Sequence, residues 1–369
     1  MAASANRHSL ALLVSVTIMA SAVAAQGIRG GYWFPNSEIP VTAIETSYYT
    51  HIYYAFLLPD RNTYEIAVND ADVPVLRSFT STLRGKNPPV KTILSIGGGS
   101  SDATVFSKMA SDAKTRSAFI ESAVGVAREY NFDGVDLDWE LPENQTDMDN
   151  LGLLFQEWKA VIDYEASNTG RALLLLTAAV HYAGTVWGSR TYPARAINNY
   201  VSWVNAMCYD YHGSWDTSQT GTLAGLYDPN GSLSTSYGLQ SWLSIGVRPE
   251  KVMMGLPLFG RSWTLRDPGV HGIGAPAVGV GPGSNGALTY KQVVDLNARN
   301  NATVVYDTAT VSVYSYWGTN WVTYDDERSV AVKVRYAKSQ KLGGYFFWAV
   351  PQDKDWIISR QASNVWSSA

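Results

Sequence analysis

Short apolar runs alternate along this chain with segments whose apolar residues recur at helical spacing. Gly31-Tyr32-Trp33-Phe34 closes a first strand, and residues 51–57 form a second. Residues 73–84 read as a helix. Residues 90–96 are a third strand, ending in Gly97-Gly98-Gly99. A helix over 114–129 follows, with Phe119, Val124 and Ala127 on its apolar side. The next run carries acidic residues and forms the fourth strand. Residues 147–165 predict a long amphipathic helix, and 172–180 an apolar fifth strand. Strands are predicted at 203–211, 252–259 and 343–350, with a closing helix at 355–365. Eight strands, mostly separated by helices, predict an α/β fold of the (β/α)8 barrel type. Residues 262–324 break the repeat. They are rich in Gly, Val, Thr and Tyr, with turns at Asp267-Pro268-Gly269 and Gly281-Pro282-Gly283. They predict a small α+β insertion domain between the seventh and eighth strands.

The fourth strand is the unusual one. Asp133, Asp136, Asp138 and Glu140 fall within eight positions of an otherwise apolar run. Side chains alternate along a strand, so Asp136, Asp138 and Glu140 point one way and Val135, Leu137 and Trp139 the other. Like charges this close cannot all ionise cheaply, so at least one pKa must rise. A carboxylic acid protonated near neutral pH suits the general acid of a glycosidase. A calcium site would want a glycine-containing loop with staggered ligands instead of a strand. In a barrel the chemistry gathers at the C-terminal strand ends. The punctuation at Gly97 to Gly99, Glu140, Tyr209-Asp210 and Trp348 falls there.

Composition narrows the choices. The chain has 369 residues, 46% hydrophobic and 16% charged, with a net charge of −4. That leaves no basic footprint for nucleic acid. The 13 Trp and 22 Tyr supply core and also suit stacking on sugar rings. The N-terminus reads as a secretory signal over 1–25. Arg7 and His8 begin it, residues 10–20 are apolar, and Ala22-Val23-Ala24 or Val23-Ala24-Ala25 suits cleavage, giving a start near Gln26. Residues 26–369 form the catalytic unit. After signal removal no membrane contact is expected, and a monomer is. Cys208 is the single cysteine, which excludes an internal disulfide; placed in a strand, it reads as a buried inert thiol. Sequons at Asn144, Asn230 and Asn301 fit a eukaryotic secretory route. His8, His51, His181, His212 and His271 show no metal spacing, and no phosphate-loop lysine follows the glycines. Neither metal nor cofactor is expected.

Asp133, Asp136, Asp138 and Glu140 match the DxxDxDxE signature of glycoside hydrolase family 18, which this chain resembles. Ser95-Ile96-Gly97-Gly98 resembles the family's SxGG strand, and Met207-Cys208-Tyr209-Asp210 its MxYD strand. Trp348 stands where the family places its barrel-floor tryptophan. The resemblance runs from about Gly27 to Ser367, and is strongest to plant class V chitinases, which carry an insertion before the last strand. Four motifs in order are far more specific than one.

The resemblance implies retaining, substrate-assisted hydrolysis of β-1,4 links in chitin and N-acetylglucosamine oligomers. Glu140 would protonate the glycosidic oxygen and later act as base on water. The substrate's 2-acetamido oxygen would attack the anomeric carbon. Asp138 would hold the acetamide nitrogen, Asp136 would share a proton with Asp138, and Tyr209 would hydrogen-bond the acetamide. Tyr32, Phe56, Gly98, Met207, Asp210, Trp215, Arg261 and Trp348 would bind substrate. Asp133, Ser95 and Gly97 would be structural. Strict alternation sets Asp210 opposite Tyr209, so Asp210 reaches the pocket only if the strand ends or bulges there. Leu141, where the family often has Tyr, and the segment Ala349-Val350-Pro351-Gln352-Asp353 depart from the pattern. Three other readings compete: a chitinase-like lectin or inhibitor, an endo-β-N-acetylglucosaminidase, and a storage or structural protein with a decayed site. Intact carboxylates oppose the last, because unneeded buried charges are costly. Extracellular location in apoplast or wall is expected ahead of the vacuole.

Overall fold

The structure, a computed structural model, describes residues 27–368; the expected signal at 1–25 and the start at Gln26 lie outside the described residues. Eight strands form the barrel: β1 Ile28–Trp33, β2 His51–Pro59, β3 Lys91–Gly97, β4 Gly134–Asp138, β5 Leu175–His181, β6 Trp203–Met207, β7 Val252–Pro257 and β8 Gly344–Trp348. Every neighbouring pair is parallel. β1 pairs with both β2 and β8, which closes the sheet. The (β/α)8 barrel is therefore present.

Register places the site. Asp136 sits level with Ser95 on β3 and Thr177 on β5, and Asp138 level with Gly97 and Ala179. Alternation then sorts the apolar residues into two cores. Val135 and Leu137 pack outward with Phe119, Leu154 and Trp158 of the surrounding helices. The barrel interior holds a separate cluster of Tyr32, Tyr53, Ile93, Trp203, Met253 and Phe346. Tyr32 stacks on Tyr53 with centroids 4.4 Å apart, and Trp203 Nε1 donates to the Tyr53 hydroxyl at 2.9 Å. Buried tyrosine and tryptophan polar tips thus find partners inside the barrel.

Several elements differ from their expected bounds, each for a local reason. The long helix runs Gln145–Thr169, because Asn144 caps it by accepting from the Asp147 N–H. β6 stops at Met207, well short of 211. After it, the N–H groups of Cys208 and Tyr209 bond to Ala206 and Met207 carbonyls at 2.9 Å, folding the chain out of the ladder. β4 likewise stops at Asp138, two residues before Glu140. Helices Ala103–Ser111, Ala194–Tyr200, Thr235–Ser244 and Glu327–Ser339 complete the repeat; the hydrophobic pattern had not singled them out.

Between β7 and β8 lies a six-stranded antiparallel sheet with the helix Tyr290–Asn300. It starts with Phe259–Leu265, so Phe259 belongs to this sheet and not to the seventh barrel strand. Trp263 and Trp321 face each other in its own small core. A buried ion pair, Lys333 with Asp325 at 2.6 Å, closes its junction with the barrel.

Candidate active site

Asp136 is the deepest carboxylate of the row and is saturated with donors. Ser95 Oγ donates to its Oδ2 at 2.7 Å and the Tyr32 hydroxyl at 2.9 Å, while Thr177 Oγ1 donates to Oδ1 at 2.6 Å. Burial raises its pKa, and these three bonds pull it back. Tyr32 is itself fixed by Asn205 Nδ2 at 2.9 Å. Asp136 therefore needs no proton from its neighbour.

Asp138 turns the other way, to Glu140. The two carboxyls share a hydrogen bond that favours the proton on Asp138. Burial raises Asp138 well above the usual carboxylate range; the charges of Glu140 and Asp136 add to it. Glu140 is also raised, first by burial, then by the charge of Asp210. Among the described residues Asp138 Oδ1 has no partner although it is buried. An unpaired buried acceptor is costly, and this one belongs to a residue that lines a cavity. The expected proton sharing between Asp136 and Asp138 is thus replaced here by sharing between Asp138 and Glu140.

That cavity, about 170 Å³, lies at the C-terminal ends of the strands. Its walls include Tyr32, Asp138, Glu140, Met207, Tyr209 and Asp210, with Trp348 and Phe346 from β8. Trp348 is held from behind by Phe56, stacked at 5.6 Å with a 19° interplanar angle. The Tyr209 phenol is pushed strongly toward its neutral, donating form, by burial first and then by the charges of Glu140 and Asp138.

A second cavity of about 450 Å³ shares Glu140, Met207, Tyr209 and Asp210 with the first. It continues past Leu141 to His181, Tyr182, Trp187 and Trp215. Asp210 enters both because it adopts φ 58°, in the left-handed region that Asp tolerates better than most residues. The strand has already ended, so alternation no longer applies. Arg261 Nε donates to Asp210 Oδ1 at 2.7 Å, and its guanidinium lies 5.2 Å from the Trp215 ring centroid.

Other expected residues lie elsewhere. Gly98 and Phe56 are one layer behind the wall, against each other, and Gly99 takes the lining position. Arg261 acts on the cleft through Asp210 and Trp215. Asp133 is at the opposite end of the barrel, accepting from Thr92 N at 2.9 Å and Arg84 Nη2 at 3.0 Å. His212 pairs with Asp216 at 2.8 Å outside both cavities. Burial pushes the Cys208 thiol up to about 12, an inert group. Asn144, Asn230 and Asn301 are all exposed. Sequence reasoning had missed His181, Trp187 and Ala179. The period-two row Thr177, Ala179, His181 on the fifth strand carried the signal for two of them; nothing in the sequence marked Trp187.

The family model for Glycosyl hydrolases family 18 matches residues 29–353. The chain is 48% identical over 345 residues to Class V chitinase CHIT5a of Medicago truncatula, covering 92% of this chain and 90% of that one. Its structure is similar to a mutant class V chitinase from Nicotiana tobaccum solved in complex with NAG4, with TM-score 0.90 and 40% identity over 93% of this chain and 99% of the other. It is also similar to the chitinase-like agglutinin RobpsCRA from Robinia pseudoacacia: TM-score 0.86, 40% identity, 92% of this chain and 100% of the other.

Proposed function

This chain belongs to glycosyl hydrolase family 18, and on that premise we propose that it is a retaining chitinase using substrate assistance. One observation carries the reading: Asp138 and Glu140 share a hydrogen bond in the wall of a cavity, and Asp138 keeps one buried oxygen unpaired. The pair needs only one proton for both of its tasks. With substrate bound, the acetamide N–H meets Asp138, and the shared proton moves to Glu140. Glu140 delivers it to the glycosidic oxygen as that bond to the anomeric carbon breaks. The acetamide oxygen closes on the anomeric carbon, and the Asp138 carboxylate offsets the positive charge on the resulting ring. Tyr209 donates to the acetamide from the other wall. Water then attacks the anomeric carbon, Glu140 takes its proton, and the acetamide is released. Asp136, satisfied by three hydroxyls, holds the negative field that keeps the shared proton in place.

The test is hydrolysis of an N-acetylglucosamine hexamer by wild type and by Glu140→Gln, with hexamer binding measured for both. Turnover in wild type, lost in the variant while binding persists, supports the reading. Binding without turnover in either overturns it in favour of a chitin-oligomer lectin. That second reading has one specific support, the structural likeness to an agglutinin.

The N-terminal sequence supports secretion to the extracellular space, and the three exposed sequons support glycosylation at Asn144, Asn230 and Asn301. A role in plant defence against chitin-walled organisms, carried out by a monomer, follows from the same reading. Mass before and after enzymatic deglycosylation of secreted protein checks the first two.

A further inference from the structure

A general acid stands at the bond it cleaves, so the sugars on its two sides occupy the two cavities that share Glu140. The cavity floored by Trp348 and holding Asp138 takes the reacting sugar. The larger one therefore takes the leaving sugar. Part of its wall is Trp187, an exposed ring at the tip of a short ribbon that pairs Thr185–Val186 with Arg190–Thr191.

Arg190 lies behind that wall, only 6% exposed. Its Nη1 donates to the Pro142 carbonyl at 2.6 Å, two residues past Glu140. Its guanidinium is 4.6 Å from the Trp187 ring centroid. One buried cation thus joins the arm carrying the acid to the aromatic wall facing it. Gln145 adds a second tie, accepting from Thr191 N at 2.9 Å. Among the described residues Nε and Nη2 of Arg190 have no partner. A buried cation left partly unsatisfied is a poor packing element, which argues for a role in the site.

We propose that Arg190 is a positioning residue that fixes Trp187 against the Glu140 arm and so sets how strongly the leaving side of the cleft holds sugar. The inference rests on the chitinase reading above. It predicts where a long oligomer is cut, because the cut follows from the balance of affinity on the two sides of the acid.

The experiment compares wild type, Arg190→Met and Arg190→Lys on the N-acetylglucosamine hexamer, recording kcat, KM, thermal unfolding and the ratio of dimer-plus-tetramer to trimer-plus-trimer. Loss of the cation over Trp187 is expected to shift that ratio by about threefold and to raise KM by about as much. Arg190→Lys should restore part of both, since it keeps a charge over the ring. A folded Arg190→Met with an unchanged ratio overturns the proposal, as does a fall in kcat alone, the mark of a merely structural role. If Arg190→Met does not fold, Arg190→Lys and Trp187→Ala are read instead, and an unchanged ratio in both overturns it. A wild type without turnover overturns the chitinase reading and this proposal together. An active wild type with variants cutting alike overturns this proposal alone.

Discussion

Arg261 donates to Asp210 at 2.7 Å, so the carboxylate whose charge raises Glu140 is paired with a cation from the inserted sheet. The two residues pull the acid in opposite directions. Asp210→Asn removes a negative charge, lets Glu140 ionise at lower pH, and should move the alkaline limb of kcat/KM to lower pH. Arg261→Met leaves Asp210 unpaired and should move it up. The pH profile on an N-acetylglucosamine oligomer checks both; limbs moving the same way would contradict the assignment.

Asp138→Asn should remove activity yet stabilise the fold at neutral pH. Burial raises the Asp138 pKa, so the folded state binds a proton more tightly than the unfolded chain. The stability from that proton is complete below the unfolded pKa and is lost as pH rises through the folded one. The variant's melting advantage should therefore be largest near pH 8 and fade toward pH 4. Calorimetric melts at the two pH values decide it.

Ser95→Ala should destabilise by about 1–3 kcal/mol, because it strips one of three hydroxyl donors from a buried carboxylate. The mutation also raises Asp136 toward its neutral form, which weakens the negative field that keeps the shared proton in place. Urea unfolding gives the first effect. The second should appear as a lowered kcat with KM little changed, and a variant with full stability and kcat would sink the role given to Asp136.

Gly97→Ala should lose the fold or nearly so. Gly97 has φ +119°, and an added Cβ would stand 2.0 Å from the Asp138 carbonyl oxygen. The neighbour is strand backbone carrying the catalytic row and cannot yield cheaply. Soluble yield and near-ultraviolet circular dichroism measure this; an alanine variant with native activity would be incompatible with the geometry.

Much of this was legible in the chain. The period-two spacing of Asp136, Asp138 and Glu140 fixed one inward face, and strand–helix alternation fixed the barrel. Glycines at the end of the third strand marked a strand end at the site; the close approach that Gly97 permits came from the structure. The backbone route of Asp210 into the cleft was not legible: it was expected there, but alternation alone set it opposite Tyr209, and a left-handed residue after the strand end reverses that. Nor was the retreat of Phe56 and Gly98 behind the wall, since depth within a rim depends on which neighbour stands in front.

What the sequence determined by itself is local and periodic: which side chains share a face, which ends carry polar punctuation, and the chemistry those groups can perform. Tertiary structure alone decided the partners. Asp138 turned to Glu140 because three hydroxyls from three other strands had already satisfied Asp136. Arg190 met Pro142 and Trp187 because a ribbon after the fifth strand folds back over the arm that follows the fourth. Such pairings depend on register and burial between distant segments, where the choice of partner is made by desolvation and leaves no trace in sequence spacing.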